Sequence, residues 1–251
     1  MAGLLIIPTL NEAANLAPLV REVRRHAPSL HILVADDASP DGTGAEADKL
    51  AAADAQVHVL HRAGPRGYGR ACLEGFRWAL TREFDPILTM DADFSHDPAA
   101  LPDLLLADTE FDVVIGSRYK HGTRVRHWPR YRVWLSRFAN LYARTATGLP
   151  VADCTSGYRC YRRRVLEGID FATVMSNHYV FLIELAARMH WAGWSLGEVP
   201  ITYTERRHGE SKLTARVLAE SAIVPWRLRL ARRHWRRAAP VPATIEPEVS
   251  E

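Results

Sequence analysis

Over the first 116 residues, short runs of purely apolar residues alternate with longer stretches whose apolar positions recur every three or four. The run 4–8 (LLIIP) predicts a strand buried on both faces, whereas 11–26 sets Leu16, Leu19, Val20 and Val23 along one side of a helix. The alternation continues: strands are predicted at 30–36, 56–61, 86–91 and 111–117, and helices at 42–53, 69–82 and 97–107. Apolar strands joined by helices predict an α/β fold, a mostly parallel sheet with helices on both faces. Right-handed crossovers then bring the carboxyl ends of the strands to one edge.

After residue 117 the pattern changes. Residues 118–134 (RYKHGTRVRHWPRYRVW) are basic and aromatic, broken by Gly122 and Pro129, and predict a loop leading into a helix over 132–147. Another helix is expected at 178–193, and 195–205 reads as two short strands or one bent at Pro200. No internal repeat is visible.

Apolar residues are 47 % of the 251 and charged ones 24 %, enough for a sizeable core and too apolar for global disorder. The net charge of +3 is modest, but its placement is not even: ten Lys/Arg against two Glu lie between Arg206 and Arg237. In that segment Trp226, Leu228, Leu230, Ala231 and Trp235 form a ragged apolar stripe flanked by Arg227, Arg229, Arg232, Arg233, Arg236 and Arg237, a pattern suited to an anionic lipid surface. The Pro-rich, acidic stretch 239–251 follows. The chain therefore divides into a globular unit 1–212, basic amphipathic helices over 213–237, and a tail 238–251 expected to be disordered. The three cysteines, Cys72, Cys154 and Cys160, include no CxxC pair; they read as core residues in a reducing, cytoplasmic setting. No signal peptide is expected, and no window approaches the ~18 apolar residues of a membrane span.

The chemistry concentrates at the strand ends. The segment 91–97 (DADFSHD) holds three aspartates and a histidine directly behind an apolar run, and the strand 30–36 ends at Asp36 and Asp37. In an open parallel sheet ligands bind beyond the carboxyl ends of the strands, so Glu12, Asp37, Asp91 and Asp93 should share one crevice. Crowded carboxylates repel unless a cation compensates, and hard oxygen donors select Mg²⁺ or Mn²⁺, which bridge to substrate phosphates. His96 reads as a turn residue rather than a ligand. The first strand lacks GxGxxG, and the glycine-rich 64–75 lacks GK[ST], so neither a dinucleotide fold nor a Walker loop is present. That glycine-rich segment fits a tight turn with close helix packing as well as a ligand-facing loop. Glu184, inside an apolar helix, fits either a core hydrogen bond or the orienting of a site residue; Asp153, with 155–157 (TSG), is expected near the ligand.

Taken in order, IIPTLNEAANL, VADDASPDGT, HRAGPRGYGRACLEGF, MDADFSHDP, VIGSRY, WPRYRVWLSRFANLYAR, DCTSGYRCYRRRVL and LGEVPITYTERRHGESKL resemble the dolichol- or polyprenol-phosphate mannose synthases, inverting glycosyltransferases of the GT-A fold. The likeness covers residues 4–213. It implies that Pro8, Glu12, Asp37 and the backbone near Ala35 hold the guanosine of GDP-mannose. Asp91, Ala92 and Asp93 would meet the diphosphate, with Asp91, Asp93 and Ser95 on Mg²⁺ or Mn²⁺. Arg118, Arg132 and Ser136 would grip the acceptor phosphate, and Arg206 and Lys212 the donor phosphates. Leu10 replaces the family's usual tyrosine at a base-contacting position. The implied partners are GDP-mannose and a polyprenyl phosphate in a membrane, met from the cytoplasmic face as a peripheral protein. A separate membrane-anchoring protein is a further candidate; nucleic acid is not, because the acidic crevice repels phosphate without metal. A polyprenyl-phosphate transferase using another donor, such as UDP-glucose, and an inactive sugar-nucleotide-binding scaffold are the competing readings.

Overall fold

A computed structural model describes residues 1–176, 180–205 and 215–235. The strands are β1 (Ala2–Thr9), β2 (His31–Asp36), β3 (Val57–His61), β4 (Phe84–Thr89), β5 (Val113–Ser117), β6 (Val125–Arg126), β7 (Arg159–Tyr161), β8 (Leu196–Pro200) and β9 (Tyr203–Thr204). The helices are α1 (Ala13–His26), α2 (Thr43–Ala53), α3 (Tyr68–Leu80), α4 (Leu101–Ala107), α5 (Arg130–Thr147), α6 (Arg163–Glu167), α7 (Val180–Trp191) and α8 (Ala215–Ala231). Seven strands form one sheet in the order β3-β2-β1-β4-β7-β5-β8, and β6 pairs with β9 in a small second sheet.

Among the described residues, only β7 runs antiparallel to its neighbours in the large sheet. The hydrophobic pattern did not reveal it. It is three residues long, and its first, Arg159, is wholly buried with its guanidinium donating to the carbonyls of Cys154, Ser156 and Leu182 at 2.8, 2.8 and 2.9 Å. A charge satisfied entirely by main-chain oxygens leaves no apolar signature. The other predicted elements of the first 117 residues form with boundaries shifted by at most four residues, and 195–205 resolves into two strands, β8 and β9.

The central strands are buried on both sides, as their apolar runs demand. Leu4, Ile6, Leu33 and Ala35 join one core with Phe76 of α3, Ala143 of α5 and Phe181 of α7; Leu5, Ile7, Ile32 and Val34 join the other with Leu16 and Leu19 of α1 and Leu104 of α4. The glycine-rich segment 64–75 runs into α3, where its glycines serve packing: a Cβ on Gly69 would lie 2.8 Å from Phe181, and one on Gly75 2.8 Å from Ile6. The cysteines are free and buried. α8 continues through Pro225 as one helix. Its Leu228 is fully buried beside Ala187 and Trp191, and Trp235 stacks on Trp191 at 5.6 Å. The expected lipid-facing stripe is thus divided: Leu228 and Trp235 face the protein, while Trp226 and Leu230 stay exposed. No helix among the described residues is long and apolar enough to cross a membrane. The tail 238–251 lies outside the described residues.

Candidate active site

β1, β2 and β4 are parallel neighbours, so the predicted acids follow strands that end at one edge of the sheet. Pro8 faces Ala35 across the β1–β2 ladder, and the Asp37 N–H donates to the Thr9 carbonyl at 3.0 Å, tying the two strand exits together. Leu10 and Glu12 follow β1 half-buried, and the Glu12 carboxylate accepts from Asn15 Nδ2 at 2.8 Å. Ala35 is buried and pairs with Pro8 on one side and Leu60 on the other.

The two acids ending β2 have different tasks. Asp36 accepts from Thr9 Oγ1 at 3.1 Å and from the Ser39 hydroxyl at 2.6 Å, bracing the turn. Asp37 is gripped by Arg62 and accepts the Gly67 N–H at 2.6 Å; Arg62 also reaches Glu74 at 2.7 Å. Sequence reasoning missed Arg62. It is the first residue past β3, so it emerges at the same edge, yet no acid lies near it in sequence. A carboxylate oxygen has two lone pairs, so Asp37 retains capacity for a further donor.

Asp91, Ala92 and Asp93 leave β4 at this edge, where the Met90 N–H donates to the Ile6 carbonyl at 3.1 Å. Asp93 is buried and its Oδ1 accepts the Ser95 N–H at 3.0 Å; the Asp91 side chain is 24 % exposed. Gly157 leaves room for this loop: a Cβ there would strike the Tyr68 hydroxyl and come within 3.0 Å of Asp91 Oδ1. His96 is a structural residue. Its Nδ1 accepts the Asp91 N–H at 3.3 Å, its ring stacks on Tyr158, and burial above all holds its pKa below the usual imidazole value. Among the described residues no three His, Cys, Asp or Glu form a metal cluster. Two carboxylates and a hydroxyl are instead a partial, all-oxygen donor set, which suits Mg²⁺ or Mn²⁺ sharing its coordination with substrate phosphate and water.

Beside the acids stands a cationic, aromatic cluster. Arg118, just past β5, is buried and clamps Asp153 through Nε–Oδ2 at 2.6 Å and Nη2–Oδ1 at 2.7 Å, with Thr155 Oγ1 at 2.6 Å. Asp153 is wholly enclosed, and the main-chain N–H groups of Ala152 and Asp153 donate to Glu198 at 2.8 and 2.9 Å. Burial alone would raise the Asp153 carboxyl, but the charge and hydrogen bonds of Arg118 outweigh it and hold the pKa below the ordinary value. Arg132 and Ser136 come from successive turns of α5. The Arg132 guanidinium lies 4.3 Å from the Trp128 ring centroid and that of Arg118 6.0 Å from it. The Tyr119 hydroxyl donates to Ser136 Oγ at 2.6 Å. Arg132 also pairs with Glu205 at 2.9 Å. Trp128 thus links Arg118 to Arg132, Tyr119 reaches Ser136, and Asp153 and Thr155 hold Arg118. Arg206 and Lys212 lie outside the described residues. Glu184 is wholly buried; it accepts the Met175 and Ser176 N–H groups at 3.2 and 2.8 Å and pairs with Arg188 at 2.5 Å, a main-chain clamp.

The family model of glycosyl transferase family 2 matches residues 4–170. A polyprenol monophosphomannose synthase of Mycolicibacterium smegmatis is 49 % identical over 230 residues, covering 90 % of this chain and 87 % of that protein. An undecaprenyl-phosphate mannosyltransferase of Micrococcus luteus is 44 % identical over 233 residues, covering 93 % of this chain and 96 % of its own length. Among solved structures, glucosyl-3-phosphoglycerate synthase from Mycobacterium tuberculosis, in complex with Mn²⁺, UDP and glucosyl-3-phosphoglycerate, aligns with a TM-score of 0.62 at 18 % identity over 96 % of this chain and 82 % of that one. A mannosyltransferase from Pyrobaculum calidifontis in complex with GDP-Man and Mn²⁺ aligns with a TM-score of 0.57 at 17 % identity, over 96 % and 76 % of the two chains. At such identities the structural matches speak for the fold.

Proposed function

The chain belongs to glycosyl transferase family 2, and on that premise we propose how its site acts as a polyprenyl-phosphate mannosyltransferase. The reaction joins mannose to a lipid-borne phosphate. The observation that carries the site assignment is the packing of an acidic loop against an arginine cluster. Thr204, next to the cluster, donates its N–H to the Ser95 carbonyl at 3.2 Å, and His96 forms a β-bridge to Tyr203.

The donor is GDP-mannose in this reading. Asp37, kept in place by Arg62, accepts from the base, and the rim from Pro8 through Leu10 to Glu12 lines the nucleoside beside the Ala35 main chain. Asp91, Asp93 and Ser95 would hold a divalent cation, with Ala92 beside the diphosphate. When bound, the cation neutralises charge on the departing nucleoside diphosphate. The residues of the chain do the rest. Arg118 and Arg132 bind the acceptor phosphate; a guanidinium matches phosphate oxygens in pairs. The Ser136 hydroxyl adds a further polar contact. A phosphate monoester has a second pKa of about 6, so at neutral pH it arrives as a dianion and is its own nucleophile. No general base is required. Direct attack on α-linked mannose gives the β-linked lipid phosphate.

The lipid acceptor brings the protein to a membrane surface. α5 turns Arg132, Ser136 and Asn140 inward and presents Tyr131, Trp134, Leu135, Phe138 and Leu141 outward, with Trp134 73 % exposed. Ile223, Trp226 and Leu230 of α8 extend that face, and the exposed Arg130, Arg137, Arg227 and Arg229 surround it. Tryptophan and tyrosine with arginines suit the headgroup layer. Incubation with GDP-mannose, Mn²⁺ and a short-chain polyprenyl phosphate, read by mass, tests the reading. A mannosylated lipid phosphate supports it; transfer from UDP-glucose in preference would overturn the donor assignment.

A further inference from the structure

Tyr203 lies between the two halves of the site and belongs to neither half of the residues expected from sequence. Its strand, β9, pairs with β6 of the loop that follows Arg118, and its N–H donates to the Arg124 carbonyl at 2.8 Å. On the other side the same residue forms the bridge to His96. The ring is 9 % exposed. It meets His96 edge-on at 5.5 Å and Trp128 edge-on at 5.2 Å, and the Arg118 guanidinium sits 5.3 Å from its centroid. The main chain binds the same loop next to it, because the N–H of Thr204 donates to the Ser95 carbonyl at 3.2 Å. One side chain thus touches the cation that would take the acceptor phosphate and the loop that would take the metal.

We propose that Tyr203 is a positioning residue of the transfer reaction, setting the separation between the 91–97 loop and the Arg118 guanidinium. The inference rests on the reading of the site given above. The transfer brings two anions together, so the spacing between the groups that hold them governs whether the acceptor oxygen reaches the sugar carbon; misplacement by an ångström costs orders of magnitude in rate. The ring is suited to this task because it is rigid, fills the gap, and presents a π face to the guanidinium. The ring and the hydroxyl can be removed separately.

The test compares Tyr203→Phe and Tyr203→Leu in the full chain. Mn²⁺ affinity is read by electron paramagnetic resonance with GDP present, and acceptor KM by lipid product. Loss of the hydroxyl alone keeps the ring and should leave both constants within about twofold of wild type. Loss of the ring should raise acceptor KM about tenfold, as expected when a desolvated cation–π contact goes. A purely structural role lowers the melting temperature and the active fraction but moves neither constant. The inference is overturned if the leucine variant keeps both constants within about twofold, or if the two variants raise acceptor KM alike. Should the leucine variant not melt cooperatively, Tyr203→Met, which fills more of the ring's volume without its π face, decides: an acceptor KM within about twofold of wild type overturns the proposal. A wild-type protein that forms no mannosylated lipid would instead defeat the reading of the site itself.

Discussion

Asp153→Ala perturbs an enclosed charge pair of the site. Asp153 is wholly buried, accepts from Arg118 through both carboxylate oxygens, and also takes the Arg118 main-chain N–H at 3.0 Å. Truncation leaves a buried guanidinium without its counter-ion, which costs about 3–5 kcal/mol. At about 2–4 °C per kcal/mol for a protein of this size, melting should fall by about 6–20 °C. Calorimetry of Asp153→Ala, Arg118→Leu and the double variant measures it. The double variant should recover much of the loss, because no charge is then stranded, giving a coupling of about 1–3 kcal/mol. The sign with pH is fixed. Asp153 has a depressed folded pKa, so its contribution is present above the ordinary carboxylate value of about 3.9 and is lost as pH falls through the folded one. Wild type should therefore lose more stability than Asp153→Ala below about pH 4. Melting of Asp153→Ala within about 2 °C of wild type, or additivity of the two single changes, refutes the reasoning.

Asp93→Ala should reduce transfer by at least about a thousandfold while the melting temperature stays within about 4 °C, since electrostatic stabilisation of the leaving group is lost and little packing is; near wild-type turnover removes Asp93 from the metal. Replacing Trp134 and Phe138 together by serine should weaken co-sedimentation with anionic vesicles about thirtyfold, the equivalent of about 2 kcal/mol of apolar burial, and undiminished binding excludes the α5 face. At the opposite end of the sheet His58 stacks on His31, with Nε2 3.0 Å from His31 Nδ1, and burial, then His31, Arg82 and Arg24, lower its pKa against the pull of Asp54. Stability should accordingly decline as pH falls from about 6.5 through the depressed folded value; an NMR titration midpoint for His58 above 6.5 contradicts this.

Much of this architecture was legible because burial on both faces writes itself as unbroken apolar runs. β1 and β2 carry such runs, and α1 shows its buried Leu16, Leu19, Val20 and Val23 at helical spacing. The acids were legible for a related reason: Asp37, Asp91 and Asp93 follow apolar strands directly. What pairs with them was not. Arg62 and Asp37 are 25 residues apart, Arg118 and Asp153 35 apart, and only the crossovers join them. Tyr203 looked like any strand aromatic until β9 placed it against Arg118. In α8 the arginines flanking apolar residues suggested one lipid-facing stripe, yet packing on α7 claims Leu228 and Trp235. An amphipathic pattern states that a face is apolar, not what covers it.

The central claim is that a divalent cation between Asp91 and Asp93 lets a sugar diphosphate and a lipid phosphate react. The direct measurement is formation of mannosylated polyprenyl phosphate from GDP-mannose by the intact protein, before and after EDTA and again after added Mn²⁺. The account predicts β-linked product, its loss with chelator, and its return with metal. Unchanged transfer in EDTA, or donor hydrolysis that never yields the lipid product, would contradict it.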